Sequence, residues 1–271
     1  MKKFFAIVLL AGLLSFTACG NDDEVIRLGL VGDFQEHWHA AREILAEDGI
    51  YLEFVFFSDF MTPNRALNDG DIDLNAFQHK QFLANDSSAN NYDLTYIAET
   101  FIVPLNIFNN QNRISSIADI QDGHTIAIPG DPVNYSRSLR LLESAGLIVL
   151  DTPPGQLATE LDIVEWIVDI NIMAAESGML AQILPDVEAA IINGGNAFTA
   201  GLRPLTDSIF TEVIDGTERN NLTNVIVARS SCLQEGGRRV EVFNEIVRVF
   251  HSDTIRNLIY DVYQGAFIPV W

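Results

Sequence analysis

Basic residues are scarce in this chain. Its 271 residues include 16 lysines and arginines against 37 aspartates and glutamates, so the formal net charge is −21 at pH 7. A surface this acidic repels phosphate backbones and anionic lipid headgroups. We therefore exclude nucleic acid as a partner, and attachment to a membrane has to come from a lipid rather than from a basic patch.

Long apolar runs are scarce as well. The N-terminal run from Phe4 to Leu14 is too short to span a bilayer. It follows two lysines and leads through small and polar residues to Cys19, which is typical of an export signal. We expect residues 1–18 to be a signal peptide that is removed before folding.

Cysteine occurs twice, as Cys19 and Cys232. The residues before Cys19, Phe-Thr-Ala, resemble the lipobox of bacterial lipoproteins, which implies a lipid on Cys19 and a lipidated tether over 19–24. The protein would then be held at the extracytoplasmic face of the cell membrane, and Cys232 would have no disulfide partner within the chain. Phe16 stands where leucine is usual, and secretion with cleavage but without lipid is the alternative.

Strand patterns alternate with helix patterns after this tether. Residues 25–31 and 51–57 have the composition of buried strands, and each leads into a helix pattern. This order favours an α/β fold over a helical bundle or a β-sandwich. Further strands are predicted at 72–76, 94–98, 100–103, 125–128, 167–172 and 224–229, and helices at 35–48, after Pro63, at 117–120, 157–163 and 177–184, and over 240–250 and 255–262.

The turn dipeptide Asp69-Gly70 opens the stretch around which we place the working centre. Residues 72–76 alternate at strand period and then run into a helix pattern. Strand ends that lead into helices are where open α/β sheets bind ligands. Phe77, His79 and Phe82 follow in quick succession, which suits a ligand with an apolar body and a polar end. Core packing is the alternative for the two phenylalanines.

A second loop, at 129–132, ends the strand pattern at 125–128 and precedes another helix pattern. We place Arg137 in the first turn of that helix, where its charge opposes the positive end of the helix dipole. An arginine beside free helix N–H groups forms a receptor for a carboxylate or a phosphate. A surface arginine paired with Asp131 or Glu143 is the alternative.

A third stretch, residues 186–196, repeats the pattern of the first: acidic residues, an apolar strand and an asparagine at its exit, followed by a glycine-rich turn. Two lobes of similar build would present such strand ends to one cleft. Asn193 as a turn residue only is the alternative.

Five motifs follow one another in the chain: Phe57-Ser58-Asp59-Phe60, Gly70-Asp71-Ile72-Asp73 with Asn75-Ala76-Phe77-Gln78-His79, Asn134-Tyr135-Ser136-Arg137, Ala190-Ile191-Ile192-Asn193-Gly194 and Asn224-Val225-Ile226-Val227. This ordered set resembles the NlpA/MetQ lipoproteins, the methionine-binding components of bacterial ABC importers. The resemblance covers nearly the whole mature chain. It implies an α/β, two-lobed periplasmic-binding-protein fold of type II, with residues 25–105 and 223–271 in lobe 1 and residues 106–222 in lobe 2.

The resemblance also implies a ligand site. Phe60, Phe77, His79 and Phe82 match the pocket for a thioether side chain, Arg137 matches the carboxylate-binding arginine, and Asn134, Asn193 and Asn224 match the polar ligands of the head group. The implied ligand is L-methionine, and the implied partners are the permease and ATPase subunits of an importer. Neither a cofactor, a metal nor a catalytic residue is implied. Phe60 and Phe82 stand where tyrosine is frequent in the family, so a methionine-containing dipeptide or another apolar amino acid is an alternative ligand.

Two other classes of function remain open from the residues. An enzyme on the same scaffold could use His79 as a base with Asp71 or Asp73 as its orienter, although no nucleophile elbow or phosphate loop accompanies the histidine. A sensor or adhesin could keep the fold without serving an importer. His37 and His39 are two residues apart on a predicted helix and face different directions, which argues against a metal.

Overall fold

The structure is a computed structural model, and it describes residues 24–153, 155–214, 216–234 and 238–271. The expected signal peptide, Cys19 and nearly all of the tether lie outside these residues. Within the described part of the chain, no helix is both long and apolar enough to cross a membrane.

Strands and helices alternate through most of the chain. The strands are β1 (Glu24–Val31), β2 (Ile50–Phe57), β3 (Leu74–Asn75), β4 (Leu94–Ile102), β5 (Asn106–Asn109), β6 (Thr125–Pro129), β7 (Ile148–Leu150), β8 (Ile163–Trp166), β9 (Asn171–Ala175), β10 (Ala189–Ile192), β11 (Ser208–Thr211), β12 (Thr223–Arg229) and β13 (Ile268–Pro269). The helices are α1 (Glu36–Glu47), α2 (Thr62–Asp69), α3 (Lys80–Asn90), α4 (Pro132–Ser144), α5 (Leu180–Ile183), α6 (Gly194–Thr199), α7 (Pro204–Asp207), α8 (Gly216–Asn221), α9 (Arg238–Phe250) and α10 (Asp253–Tyr263). The α/β class expected from the sequence is confirmed.

Two sheets form the centres of two lobes. The first sheet has the order β13-β4-β12-β3-β1-β2 and the second the order β11-β5-β10-β6-β9, while β7 and β8 form a separate hairpin. In the first sheet β1 runs parallel to β2 and β3, and β12 runs antiparallel to β3 and β4. The chain passes from the first sheet to the second between β4 and β5 and returns between β11 and β12.

Each sheet has its own apolar core. In the first, Ile26, Leu28 and Leu30 of β1 are fully buried, as expected for a parallel strand covered on both faces. Helices α1 and α9 cover it, with the rings of Trp38 and Phe250 4.5 Å apart. Helix α6 follows β10 of the second sheet in the chain, but its Phe198 packs into the core of the first sheet. Helix α6 therefore joins the second sheet to the first lobe.

Four expectations from the sequence are wrong in detail. The strand predicted at 72–76 is only the two residues of β3, because the carboxylate of Asp73 accepts the backbone N–H of Arg27 at 2.8 Å. The strand predicted at 167–172 begins at Asn171, since Ile167 and Val168 both donate to the carbonyl of Leu147.

The helix predicted at 157–163 is a single 3₁₀ turn, Glu160–Asp162, followed by β8. Thr159 and Asp162 form a capping box that is complete after that one turn. The glycine-rich turn expected after Asn193 is the first turn of α6, for which Asn193 is the N-cap residue.

Candidate functional site

A cleft lies where the C-terminal ends of β1 and β3 face α4 and the start of α6. It is lined by all eight residues that the sequence singled out: Phe60, Phe77, His79, Phe82, Asn134, Arg137, Asn193 and Asn224. The first four and Asn224 come from the first lobe, and Asn134, Arg137 and Asn193 from the second. The structure thus brings the whole predicted set to one cleft, and the role of each residue stays a prediction.

Three phenylalanines form one wall of the cleft. Phe60 and Phe77 are stacked with ring centroids 5.9 Å apart, and Phe82 meets Phe60 edge-on at 6.3 Å and Phe77 edge-on at 5.8 Å. Phe60 is held just before α2 because Asp59 accepts the backbone N–H groups of Met61 and Thr62 at 2.8 and 2.7 Å. This wall suits an apolar, polarisable group.

His79 is the N-cap residue of α3, and the residue as a whole is 5% exposed. Its Nδ1 accepts the backbone N–H of Phe82 at 3.2 Å, so a neutral ring carries its proton on Nε2. Burial first and the nearby Arg137 guanidinium second lower the pKa of His79 to about 3, against a smaller opposing effect of the Asn134 side chain. The Nε2 atom is buried and has no hydrogen-bond partner among the described residues. His79 therefore offers the cleft a neutral N–H donor.

A buried polar network lies behind this wall. The side chain of Asn64 donates to Gln78 and to Asp86 at 2.8 Å each, and Asn75 donates to Asn64 at 3.0 Å. Gln78 donates back to Asn64 and to Asn75. The network fixes the loop that carries Phe77 and His79. Sequence reasoning assigned it no role, because its members belong to α2, β3, the loop after β3 and α3 and are brought together only by the fold. Asn75, expected at the mirrored strand exit, belongs to this network rather than to the lining of the cleft.

A chain of side-chain hydrogen bonds runs along the opposite wall. Asn193 donates to the side chain of Asn134 at 3.2 Å, and Asn134 donates to Asp131 at 3.0 Å. Asp131 also caps α4 by accepting the backbone N–H of Asn134 at 2.9 Å, and burial raises the pKa of its carboxyl. The Oδ1 of Asn193 is buried without a partner in the described structure. This wall therefore offers the cleft an acceptor.

Arg137 differs from its expected setting in two ways. Helix α4 begins at Pro132, so Arg137 is its sixth residue rather than part of the first turn. Its side chain is 8% exposed and pairs with Glu212, which the sequence did not indicate, instead of Asp131 or Glu143. Nε donates to Glu212 at 2.7 Å, and Nη2 donates to Glu212 and, at 2.9 Å, to the carbonyl of Val103.

Asn224 enters the cleft beside His79, with which its backbone forms an isolated antiparallel bridge. The carboxylates proposed as partners of His79 in an enzyme lie elsewhere. Asp73 pairs with Arg27 and Arg239, and Asp71 is exposed. The base and orienter that the enzyme hypothesis needs are thus not found together.

Metal chemistry finds no support in the described ranges. They contain no group of three or more histidine, cysteine, aspartate or glutamate residues placed to hold an ion. His37 is packed among aromatic rings, with Nδ1 2.8 Å from the hydroxyl of Tyr263, and burial lowers its pKa to about 3.

The parts of the cleft complement a small zwitterion with an apolar side chain. The phenylalanine wall can pack against the side chain, while Arg137 and the Nε2–H of His79 can donate to a carboxylate and Asn193 can accept from an ammonium group. A ligand would supply partners for the Nε2 of His79 and the Oδ1 of Asn193, which are buried and have none among the described residues.

Comparison with known proteins finds similarity along nearly the whole chain. The family model described as NlpA lipoprotein matches residues 26–271. A Salmonella typhimurium protein named D-methionine-binding lipoprotein MetQ is 35% identical over 277 residues, which cover 100% of this chain and 98% of that protein.

Two solved structures are similar in fold and sequence. The substrate-binding protein of a methionine transporter from Streptococcus pneumoniae has a TM-score of 0.85 and 34% identity, with 91% of this chain and 96% of that chain covered. A nutrient-binding protein from Burkholderia cenocepacia bound to methionine has a TM-score of 0.82 and 29% identity, with 91% and 100% covered.

Proposed function

The chain belongs to the NlpA lipoprotein family, and on this basis we propose that it is the substrate-binding lipoprotein of an ABC importer, which binds methionine or a close relative. Its relatives are substrate-binding transport proteins rather than enzymes. The observation that carries the proposal is a single cleft in which three phenylalanines face a buried arginine, a buried N–H donor and a buried amide oxygen.

The ligand is placed by matching its groups to these side chains. The thioether lies against Phe60, Phe77 and Phe82, where sulfur–aromatic contact adds to the burial of apolar surface. The carboxylate is bound by Arg137 and by Nε2–H of His79. The ammonium group is bound by Asn193, with Asn134 and Asn224 beside it. A methionine-containing dipeptide or another apolar amino acid is the second candidate, because Phe60 and Phe82 leave out two hydroxyl groups that tyrosines would supply.

The proposal extends to location and partners. A lipid on Cys19 would hold the protein at the outer face of the cell membrane, where an ABC permease with its ATPase subunits receives the ligand. The strand membership of the two sheets supports lobe boundaries near residues 105 and 223. Ligand bridges the two lobes, so it favours a closed arrangement about the two chain crossings.

The test of the proposal is the identity and affinity of the ligand. Native mass spectrometry of the purified protein gives the mass of any bound ligand. Calorimetry of the stripped protein then compares L-methionine, D-methionine, leucine and a methionine-containing dipeptide. We expect methionine to bind most tightly, and the two enantiomers resolve the stereochemistry. Stripped, folded protein that gives no binding heat with either enantiomer would contradict the proposal.

Arg137→Ala is the accompanying variant. We expect it to weaken methionine binding by about 2 to 5 kcal/mol, the scale for truncating one partner of a desolvated charge pair. Arg113→Ala is the control, because Arg113 pairs with Glu188 and does not line the cleft. A loss of less than threefold in the Arg137 variant would remove Arg137 from the site.

A further inference from the structure

Glu212 lies where the chain leaves the second sheet, directly after β11. Its carboxylate Oε2 accepts the backbone N–H of Leu105 at 2.8 Å, and its own backbone N–H donates to the carbonyl of Leu105 at 2.9 Å. Leu105 belongs to the other crossing, between β4 and β5. Glu212 therefore ties the two crossings of the chain to each other.

The same carboxylate holds Arg137. Nε of Arg137 donates to Oε1 of Glu212 at 2.7 Å, and Nη2 donates to Oε2 and to the carbonyl of Val103. These bonds engage two of the three guanidinium nitrogens, Nη1 has no hydrogen-bond partner among the described residues, and Arg137 lines the cleft. The side chains are 8% and 12% exposed, so the pair is largely shielded from water.

Arg137 carries its positive charge in a buried position. A buried guanidinium without a counter-ion is costly, and a ligand carboxylate is present only part of the time. Glu212 neutralises Arg137 whether or not the cleft is filled. The pair then has no net charge, which matches a ligand whose ammonium and carboxylate groups also cancel.

We propose that Glu212 is a positioning residue for the ligand: it holds Arg137 from behind so that Nη1 faces the carboxylate, and it links that contact to both chain crossings. This inference rests on the proposed function, because it takes Arg137 to bind the ligand carboxylate. If Glu212 instead competed with the ligand for Arg137, removing the charge of Glu212 would tighten binding rather than weaken it.

The first variant is Glu212→Gln. The glutamine oxygen can still accept from Leu105, but its NH₂ end cannot accept from the guanidinium. We expect the Kd for methionine to rise about tenfold, within the range of couplings inside one hydrogen-bonded network. An unchanged or lower Kd would overturn the inference, and a lower one would identify Glu212 as a competitor.

Glu188→Gln is the matched control. Glu188 also binds one arginine, Arg113, and one backbone N–H, that of Thr125 at 2.8 Å, but it does not line the cleft. We expect Glu188→Gln to leave methionine affinity unchanged. If both glutamine variants lose affinity equally, the effect is general destabilisation and the inference is wrong.

The methionine affinity of the double variant Arg137→Ala with Glu212→Gln separates coupling from a purely structural role of Glu212. With Arg137 truncated, the Glu212 carboxylate is left uncompensated and repels the ligand carboxylate. Removing its charge should therefore restore about three- to tenfold of the affinity lost in Arg137→Ala alone, a sign reversal that marks coupling. Losses that simply add would overturn the inference.

Binding by wild type and by Arg137→Ala tests the proposed function separately from the role of Glu212. Wild-type protein that does not bind methionine, or Arg137→Ala that binds normally, would refute the proposed function and not the role of Glu212 alone. If Glu212→Gln does not fold, Glu212→Asp is measured, because its shorter carboxylate cannot reach Leu105 and Arg137 together. It should lose affinity, and an unchanged Kd would overturn the inference.

Discussion

Gly178 approaches the backbone carbonyl of Ser58 so closely that a Cβ atom on Gly178 would lie 2.5 Å from that oxygen. Ser58 follows β2 of the first sheet, and Gly178 lies in the 3₁₀ helix Ser177–Met179 of the second lobe. The two lobes thus meet at a point where a Cβ atom would clash with a backbone oxygen. Any larger residue at 178 holds them apart.

We expect Gly178→Ala to weaken methionine binding about three- to tenfold, because it makes the closed arrangement less populated without touching the ligand. Small-angle scattering should show a larger radius of gyration for the ligand-bound variant than for ligand-bound wild type. Ser58→Ala is the control, since it removes the hydroxyl and keeps the carbonyl. A Gly178→Ala variant that binds and closes as wild type does would show that this contact does not limit closure.

The low pKa of His79 predicts binding that does not depend on pH across the neutral range. Burial holds this pKa at about 3, well below its ordinary value near 6.5, so the ring stays neutral from pH 8 to pH 5. We expect the Kd for methionine to be constant over this interval in calorimetry. Affinity that changes with a midpoint near pH 6 would mean that His79 titrates in the cleft and is not the neutral donor inferred here.

His37 predicts a pH dependence of stability. Its folded-state pKa is lowered to about 3 by burial, while the unfolded chain takes up a proton near pH 6.5. The unfolded state therefore binds more protons below pH 6.5, and the folded state loses stability as pH falls. For one such histidine the loss between pH 7 and pH 5 is about 2 kcal/mol.

Urea unfolding of wild type and His37→Gln at both pH values isolates this contribution, because the other titrating groups are common to both. The wild type should lose about 2 kcal/mol more than the variant between pH 7 and pH 5. Equal losses in the two proteins would mean that His37 is protonated in the folded state. The comparison rests on the change with pH, so a lower stability of the variant at pH 7 does not affect it.

The phenylalanine wall predicts a preference for sulfur. Norleucine keeps the length of methionine and lacks the thioether, so we expect it to bind more weakly by about 0.3 to 1.5 kcal/mol. In Phe77→Leu, which removes the ring that contacts both Phe60 and Phe82, the difference between the two ligands should shrink. Equal affinity of the two ligands for the wild type would mean that the wall recognises shape alone.

Much of the local structure could be predicted because its causes are local. The strand expected at 25–31 and the helix expected at 35–48 differ from β1 and α1 by at most one residue at each end. Buried parallel strands have nearly continuous apolar sequences, and a glycine such as Gly70, at φ 87°, marks a helix end. The membership of the cleft could be predicted from the ordered motifs.

The expectation that Arg137 lies in the first turn of its helix is wrong for a local reason, because Asp131 followed by Pro132 is a helix-start signal that puts Arg137 in the sixth position. Other differences arise where distant residues decide the structure. The partner of Arg137, Glu212, is 75 residues away, and no local pattern reports such a pairing. The short length of β3 likewise depends on Asp73 binding Arg27, 46 residues away.

The most direct test of the central claim is the position of selenium in a crystal of the protein grown with L-selenomethionine, or with the D enantiomer if calorimetry selects it. The protein itself carries ordinary methionine, so a strong anomalous peak reports the ligand. We expect one peak about 5 Å from the ring centroids of Phe60, Phe77 and Phe82, with the ligand carboxylate toward Arg137 and His79. A protein that binds the ligand in solution but shows the peak outside this cleft, or the ligand reversed with its carboxylate toward the phenylalanines, would contradict the account.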